Sequence, residues 1–324
     1  AYAEYLEASW CVGVANGTDA LLLALRALDV GGDDEVIVPS FTFIATAATV
    51  ILAGAKPVFA DVEPETLNLD LEDAARRVTE RTVGIVGVHL YGRPCDLDRT
   101  LGLCEERGLW LIEDAAQAHG ARWRGRRVGG FGRLATWSFY PAKNLGCFGD
   151  GGAVSASGED LEERIRRLAN HGRTEHYQHS EVGTNSRLDA LQAAVLRCRL
   201  ELLEADNARR REIAGLYREA LSGVGDVKLL DDDERAEPVY HLLTLTTSRR
   251  DPLQRHLAER GIAAAVHYPA PLHVQPAFRE LRRPTHPLPV AEAASTRVLC
   301  LPIFPELTDG EVDRVCACLL YTSD

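Results

Sequence analysis

Lysine is scarce in this chain. Of 324 residues only Lys56, Lys143 and Lys228 are lysines, and arginine fills the other basic positions. Methionine is absent, and the sequence opens at Ala1. No apolar run approaches the roughly 18 residues that a membrane-spanning helix needs. No basic segment followed by an apolar core marks a secretory leader. Positive charge is in deficit: 36 Lys and Arg face 48 Asp and Glu, for a net charge of −12. That argues against nucleic acid or an anionic membrane surface as a partner, while leaving room for a local basic pocket. The eight cysteines, at 11, 95, 104, 147, 198, 300, 316 and 318, form no C-x-x-C and no Cys/His cluster with zinc spacing. They are read as reduced thiols, so the protein is expected in the cytoplasm and without a metal.

What is present is an alternation. Short apolar runs at 11–15, 35–39, 57–62, 83–90, 109–112, 135–139 and 152–155 predict strands. Helical periodicity lies between them at 19–28, 44–53, 96–107 and 159–170. Strands separated by helices of this length build βαβ units and a mostly parallel sheet. From Asn185 a helical stretch runs to about Leu221, with a break expected near Asp206. The rhythm then changes: strands are expected at 239–246 and 263–268, and helices at 252–260, 290–298 and 309–319. The acidic run 231–234 reads as a solvated loop. The class is therefore α/β, with a large domain over 1–205 and a small α+β domain over 206–324.

Three features can carry chemistry. The run 109–112 ends in Glu113 and Asp114, which places carboxylates at the carboxyl edge of the sheet, where open α/β folds bind ligands. Gly17 and Thr18 open a helix directly after a strand and offer free amides and a hydroxyl to a phosphate. Lys143 follows a strand and precedes a glycine-rich loop at Gly146, Gly149, Gly151 and Gly152. A deprotonated lysine forms a Schiff base, which arginine cannot. Taken alone, each has a plainer reading: turn-capping carboxylates, an ordinary helix start, a surface lysine. Together they fit pyridoxal phosphate, which needs a phosphate cup (Gly17, Thr18, Ser138), an amine (Lys143), a carboxylate for the ring nitrogen (Asp114) and an aromatic over the ring (Phe43).

The sequence resembles the DegT/DnrJ/EryC1/StrS sugar aminotransferases, fold type I pyridoxal-phosphate enzymes. The matching stretches are V-G-V-A-N-G-T-D-A-L (12–21), V-P-S-F-T-F-I-A-T-A (38–47), E-D-A-A-Q-A-H-G-A (113–121), S-F-Y-P-A-K-N-L-G (138–146), G-D-G-G-A-V (149–154), G-T-N-S-R-L-D-A-L-Q-A-A-V-L (183–196) and V-H-Y-P-A-P-L-H (266–273). The resemblance implies a large domain with a mostly parallel seven-stranded sheet and a small C-terminal domain. It implies that Lys143 binds the cofactor aldehyde and shuttles the substrate proton, that Asp114 pairs with the ring nitrogen, and that Gln117 bonds the ring hydroxyl. Gly17, Thr18 and Ser138 would hold the phosphate. Asn185 would reach the phosphate of a partner subunit in a homodimer, Arg187 would anchor a substrate carboxylate, and His267 and Tyr268 would face the sugar. An apolar stripe of Leu188, Leu191, Val195 and Leu202 would line the dimer contact, with core packing inside one chain as its plain alternative. Family members carry a further segment ahead of the strand matching 11–15, near the dimer contact and sugar pocket, and activity is expected to depend on it.

The reaction so implied is a ping-pong transamination in which glutamate aminates the cofactor, giving pyridoxamine phosphate, and a nucleotide-linked keto-sugar receives the amine. The surroundings of Lys143 resemble members acting at C3 more than at C4. Dehydration at C3 is disfavoured, because family dehydratases carry histidine in place of the lysine. Amination of a cyclitol ketone, or a non-catalytic regulatory protein that binds the cofactor, stay open as alternatives.

Overall fold

A computed structural model of the chain describes residues 1–158, 160–281 and 286–320. The seven apolar runs of the first half pair into one sheet. Its strands are β1 (Trp10–Val14), β2 (Glu35–Pro39), β3 (Lys56–Ala60), β4 (Thr82–Val88), β5 (Trp110–Asp114), β6 (Leu134–Ser138) and β7 (Gly152–Ala156), in the spatial order β1-β7-β6-β5-β4-β2-β3. The pairs β2/β3, β2/β4, β4/β5 and β5/β6 are parallel, whereas β7 runs antiparallel to both β6 and β1. All five residues of β2 are buried, as a strand covered on both faces must be.

Alternation along the strands feeds two cores. Val36, Val38, Val86 and Ile112 pack with α2 (Gly17–Ala27), α3 (Ala45–Leu52) and α6 (Glu162–Leu168). Ile37, Ile85 and Leu111 point the other way, onto α4 (Leu71–Arg77) and α5 (Leu97–Arg107). This is the period-two geometry of a strand put to use on both faces of the sheet. The expected helix at 159–170 is shorter, and Glu159 lies outside the described residues.

The expected break at Asp206 lies earlier. Helix α7 (Ala190–Leu200) ends at Glu201, and α8 (Leu203–Leu221) holds Asp206 in its first turn, where a carboxylate suits the positive end of the helix dipole. A third core joins α8, α9 (Arg250–Glu259) and α11 (Asp309–Leu320) to a small antiparallel sheet of β8 (Lys228–Leu229), β9 (Leu243–Thr246) and β10 (Val298–Leu301). Strand β10 follows α10 (Pro289–Arg297) directly and was not foreseen. The stretch 263–268 is no strand; it touches β10 through a single bridge, Ala265 to Cys300. The acidic run is only partly solvated: Asp232 accepts from Arg93 Nε at 2.8 Å and Tyr240 Oη at 2.6 Å, and pairs with Arg218. A buried arginine and a tyrosine at that spot need an acceptor more than water needs a carboxylate.

All eight cysteines are free thiols. Among the described residues no helix is long and apolar enough to cross a membrane.

Candidate active site

The carboxyl ends of the parallel strands β2, β4, β5 and β6 lie along one edge of the sheet, and there the candidate residues collect. Glu113 and Asp114 close β5 and, being adjacent, face opposite ways. Glu113 is fully buried and accepts from the amides of Gly129, Phe131 and Gly132 at 2.7–2.8 Å and from His89 Nε2 at 3.2 Å. It organises the 129–132 turn and is not available to a ligand. Asp114 accepts from Thr46 Oγ1 at 3.0 Å and, at 3.3 Å, from the Ala116 amide. Burial raises its carboxyl above the ordinary carboxylate range, against the pull of Thr46, Ala116 and Lys143.

Lys143 sits in the turn after β6, its own amide bonded to the Tyr140 carbonyl at 2.8 Å. Burial brings its amine down to about 8, and the Asp114 charge acts the other way. The other two lysines lie at the surface, paired with Asp33 and Asp231. Each of Lys143 and Asp114 thus feels the other's charge, and each is held away from its ordinary protonation range by exclusion of water.

The cup forms where α2 begins. Asn16 Oδ1 caps the helix by accepting from the Asp19 amide at 2.8 Å. Among the described residues this leaves the Gly17 and Thr18 amides and the Thr18 hydroxyl without partners. Ser138, at the end of β6, closes in so tightly that a Cβ on Gly17 would stand 2.7 Å from the Ser138 Cβ. Two amides and two hydroxyls therefore meet at a helix N-terminus, the arrangement that suits a phosphate.

Gln117 accepts from the Tyr91 amide at 2.6 Å and donates Nε2 to Tyr268 Oη at 3.3 Å. Tyr91 also donates its hydroxyl to the His267 carbonyl, so one buried tyrosine holds both Gln117 and the 267–268 segment. The Tyr268 ring lies 6.2 Å from those of Phe41 and Phe43, and Phe43 is 54% exposed, a face open to a planar partner. His267 is lowered by burial and by Lys143. Thus Gly17 meets Ser138, Asp114 neighbours Lys143, and Gln117, Phe43 and the 267–268 pair share one network.

Asn185 and Arg187 stand apart. Both are exposed, and among the described residues neither side chain has an intrachain partner. Ser186 between them is buried and accepts from the Ala15 amide at 3.1 Å, which pins the segment beside the end of β1. Of α7 only Leu196 is buried, while Leu191 is 80% and Leu202 58% exposed. Core packing within the chain therefore takes up Leu188, which packs against the second core, and half-buries Val195, but leaves Leu191 and Leu202 uncovered.

Sequence reasoning passed over Thr46, Tyr91 and His241. Thr46 lay inside the quoted 38–47 stretch, three residues past Phe43, and a helix turn brings it round to Asp114. Tyr91 adopts φ 60°, a left-handed conformation that nothing in its side chain announces. His241 is held well below its ordinary range by burial and by Lys143, and its place near the lysine depends on the small domain's docking.

A mostly parallel sheet with a half-buried lysine and a buried carboxylate at its carboxyl edge is the framework of fold type I pyridoxal-phosphate transferases. The chain belongs to the DegT/DnrJ/EryC1/StrS aminotransferase family, whose model matches residues 1–320. It is 47% identical over 314 residues to dTDP-3-amino-3,4,6-trideoxy-alpha-D-glucose transaminase of Streptomyces venezuelae, across 97% of this chain and 83% of that one. Its fold is similar to the crystal structure of S. venezuelae DesV in complex with a ketimine intermediate (TM-score 0.97, 46% identity, 100% of this chain and 87% of that one). It is also similar to NtdA of Bacillus subtilis with bound cofactor PMP (TM-score 0.92, 30% identity, 99% of this chain and 75% of that one).

The residues present fit such a cofactor. Asp114 is a buried carboxylate with one side-chain donor and one long amide bond, raised in pKa by burial. Among the described residues the first α2 amides lack an acceptor, and Lys143 is the amine that shares the field of Asp114.

Proposed function

We propose that this protein is a pyridoxal-phosphate-dependent transaminase of nucleotide-linked keto-hexoses, working at C3 with glutamate as the amino donor. The observation that carries the reading is Lys143, a lysine drawn down to about 8 at the sheet edge and set against the buried carboxylate Asp114. Pyridoxal phosphate, when bound, supplies an aldehyde and an electron sink for the substrate carbanion. Lys143 would bind the aldehyde carbon and move the proton at the substrate Cα; an amine titrating near 8 is partly deprotonated at neutral pH and can do so as base and as acid. Asp114 would keep the ring nitrogen protonated, and Gln117 would serve the ring hydroxyl. Gly17, Thr18 and Ser138 would hold the phosphate, and Phe43 would cover the ring face. The name of the S. venezuelae relative supports C3 and a nucleotide-linked sugar.

Residues 1–205 form the cofactor-binding domain and 206–324 the small domain, with His267 and Tyr268 facing the sugar. The working unit is a cytoplasmic homodimer. Asn185 completes the partner's phosphate site and Arg187 receives a substrate carboxylate there, which accounts for two polar side chains without intrachain partners beside an exposed apolar helix face. Incubating the protein with pyridoxal phosphate, glutamate and a panel of nucleotide keto-sugars, then reading products by mass spectrometry, tests the activity; amination at C4 alone, or of a cyclitol ketone alone, would overturn the substrate. Mixing Lys143→Ala with Asn185→Asp/Arg187→Ala tests the shared sites. Heterodimers regain one intact site, so activity rises well above either parent, and a fully active monomer contradicts the arrangement.

A further inference from the structure

Two asparagines tie the site to the helix that leads out of it. Asn144 follows Lys143 and is buried; its Nδ2 donates to Asn207 Oδ1 and to the Val239 carbonyl, each at 2.9 Å. Asn207 lies on α8 with no exposed surface, and its Nδ2 donates to the His119 carbonyl at 2.8 Å. Backbone carbonyls only accept, so the bonds to His119 and Val239 fix which way both amides point. That orientation leaves Asn144 Oδ1 buried without a donor. An unpaired buried acceptor is a cost that an aliphatic residue would avoid, so packing alone does not account for an asparagine here.

Asn207 reaches both halves of the site. His119 lies two residues beyond Gln117, in the loop that leaves Asp114. The next residue, Gly120, has φ +90°, and a Cβ there would stand 2.7 Å from Asn207 Nδ2, so this loop is pressed onto the asparagine. The Val239 amide bonds the Gly92 carbonyl at 3.0 Å, next to the Tyr91 that holds Gln117. The lysine turn, the Asp114–Gln117 loop and the segment ahead of β9 therefore all meet at one amide pair.

We propose that Asn144 and Asn207 are positioning residues for Lys143: together they fix its amine relative to Asp114 and hand the placement of α8 to the site. The inference rests on the reading of Lys143 as the cofactor-binding amine. Neither asparagine touches the reacting atoms. Loosening the pair exposes the half-buried Lys143 further and returns its amine toward the ordinary lysine range, because burial is what lowers it.

The test uses the whole chain without added cofactor. An amine-selective acylating reagent is applied across a pH series, and modification is quantified peptide by peptide, with Lys56 and Lys228 as internal controls. In the parent the Lys143 midpoint falls near 8. In Asn207→Leu and in Asn144→Ala it rises by about one pH unit, the double variant rises no further than either single one, and the control lysines do not move. A folded single variant with an unshifted midpoint overturns the inference, as does a double variant whose shift is the sum of the two. Should Asn207→Leu not fold, Asn144→Ala removes the same bond from the other end and decides alone. A parent Lys143 that titrates like the control lysines is a different result: it removes the reading of Lys143 and the positioning role with it.

Discussion

Glu113 and Asp114 are neighbours in the chain, equally acidic, and both buried. They nevertheless serve opposite sides of the sheet. Glu113 meets three amides and a histidine, which hold it ionised; burial resists this, and the His89, Gly132 and Gly129 bonds prevail, so its pKa is lowered. Asp114 meets one hydroxyl and one long amide bond, and burial prevails, so its pKa is raised. The difference teaches that burial alone does not mark a functional carboxylate. What marks it is how few of its lone pairs the protein itself satisfies.

The comparison can be broken in steps. The largest loss is expected on the ligand side. Lys143→Ala removes both the covalent anchor and the proton carrier, so turnover falls by at least about 10⁴-fold; borohydride should fix the cofactor to the Lys143 peptide in the parent and to no peptide in the variant. Next comes the structural side. Glu113→Gln leaves His89 and the 129–132 amides poorly matched, and urea unfolding should lose about 3–5 kcal/mol, while kcat per folded, cofactor-loaded molecule stays within about a factor of two. Asp114→Asn inverts that pattern. With ring protonation weakened by about 1–3 pKa units, kcat falls by about 10²–10³-fold, and thermal stability moves little; a normal rate would remove Asp114 from its place.

Two smaller effects sharpen the contrast. His89 accepts the Cys95 amide on Nδ1 at 3.1 Å and donates Nε2 to Glu113, so one buried neutral ring bonds both. His89→Ala leaves the Cys95 amide and a Glu113 oxygen without this partner, and urea unfolding should lose about 2–3 kcal/mol, with kcat of the folded molecule unchanged. Thr46→Val costs the least, about 1.5 kcal/mol from one hydrogen bond to a charged acceptor, read as a drop in kcat of about tenfold at most.

Much of this was legible beforehand, for physical reasons. The central strands of the main sheet were visible because a strand buried on both faces is mostly apolar, as Val36–Pro39 of β2 and Val83–Val88 of β4 are. Strand β10 was not, because Val298–Leu301 runs on directly from α10 and the apolar signal blurs into the helix. The stretch 263–268 misled for the converse reason: it carries a strand-like pattern, but only Ala265 finds a partner strand. In the site, Lys143, Asp114 and Gly17 were readable because their chemistry is tied to residue type and to strand ends. The roles of Asn144, Asn207 and Tyr91 were not, since each depends on partners from remote segments. Asn185 and Arg187 are the mirror case: the family pattern singles them out, while the folded single chain gives their side chains nothing to hold.

The contact between Gly17 and Ser138 has a consequence for how the molecule comes into being. Gly17 stands just past β1, yet the neighbour of β1 is β7, which begins only at Gly152. On the ribosome β1 must therefore wait without this partner until the chain has passed the lysine turn before it can dock. Such long-range pairings are slow to form. The cup closes only when that docking is complete, and its walls then leave no room for a side chain at Gly17. Capture of a phosphate there would act as a seal on the finished sheet, so the cell could supply cofactor early without risk of its being held by a half-built chain.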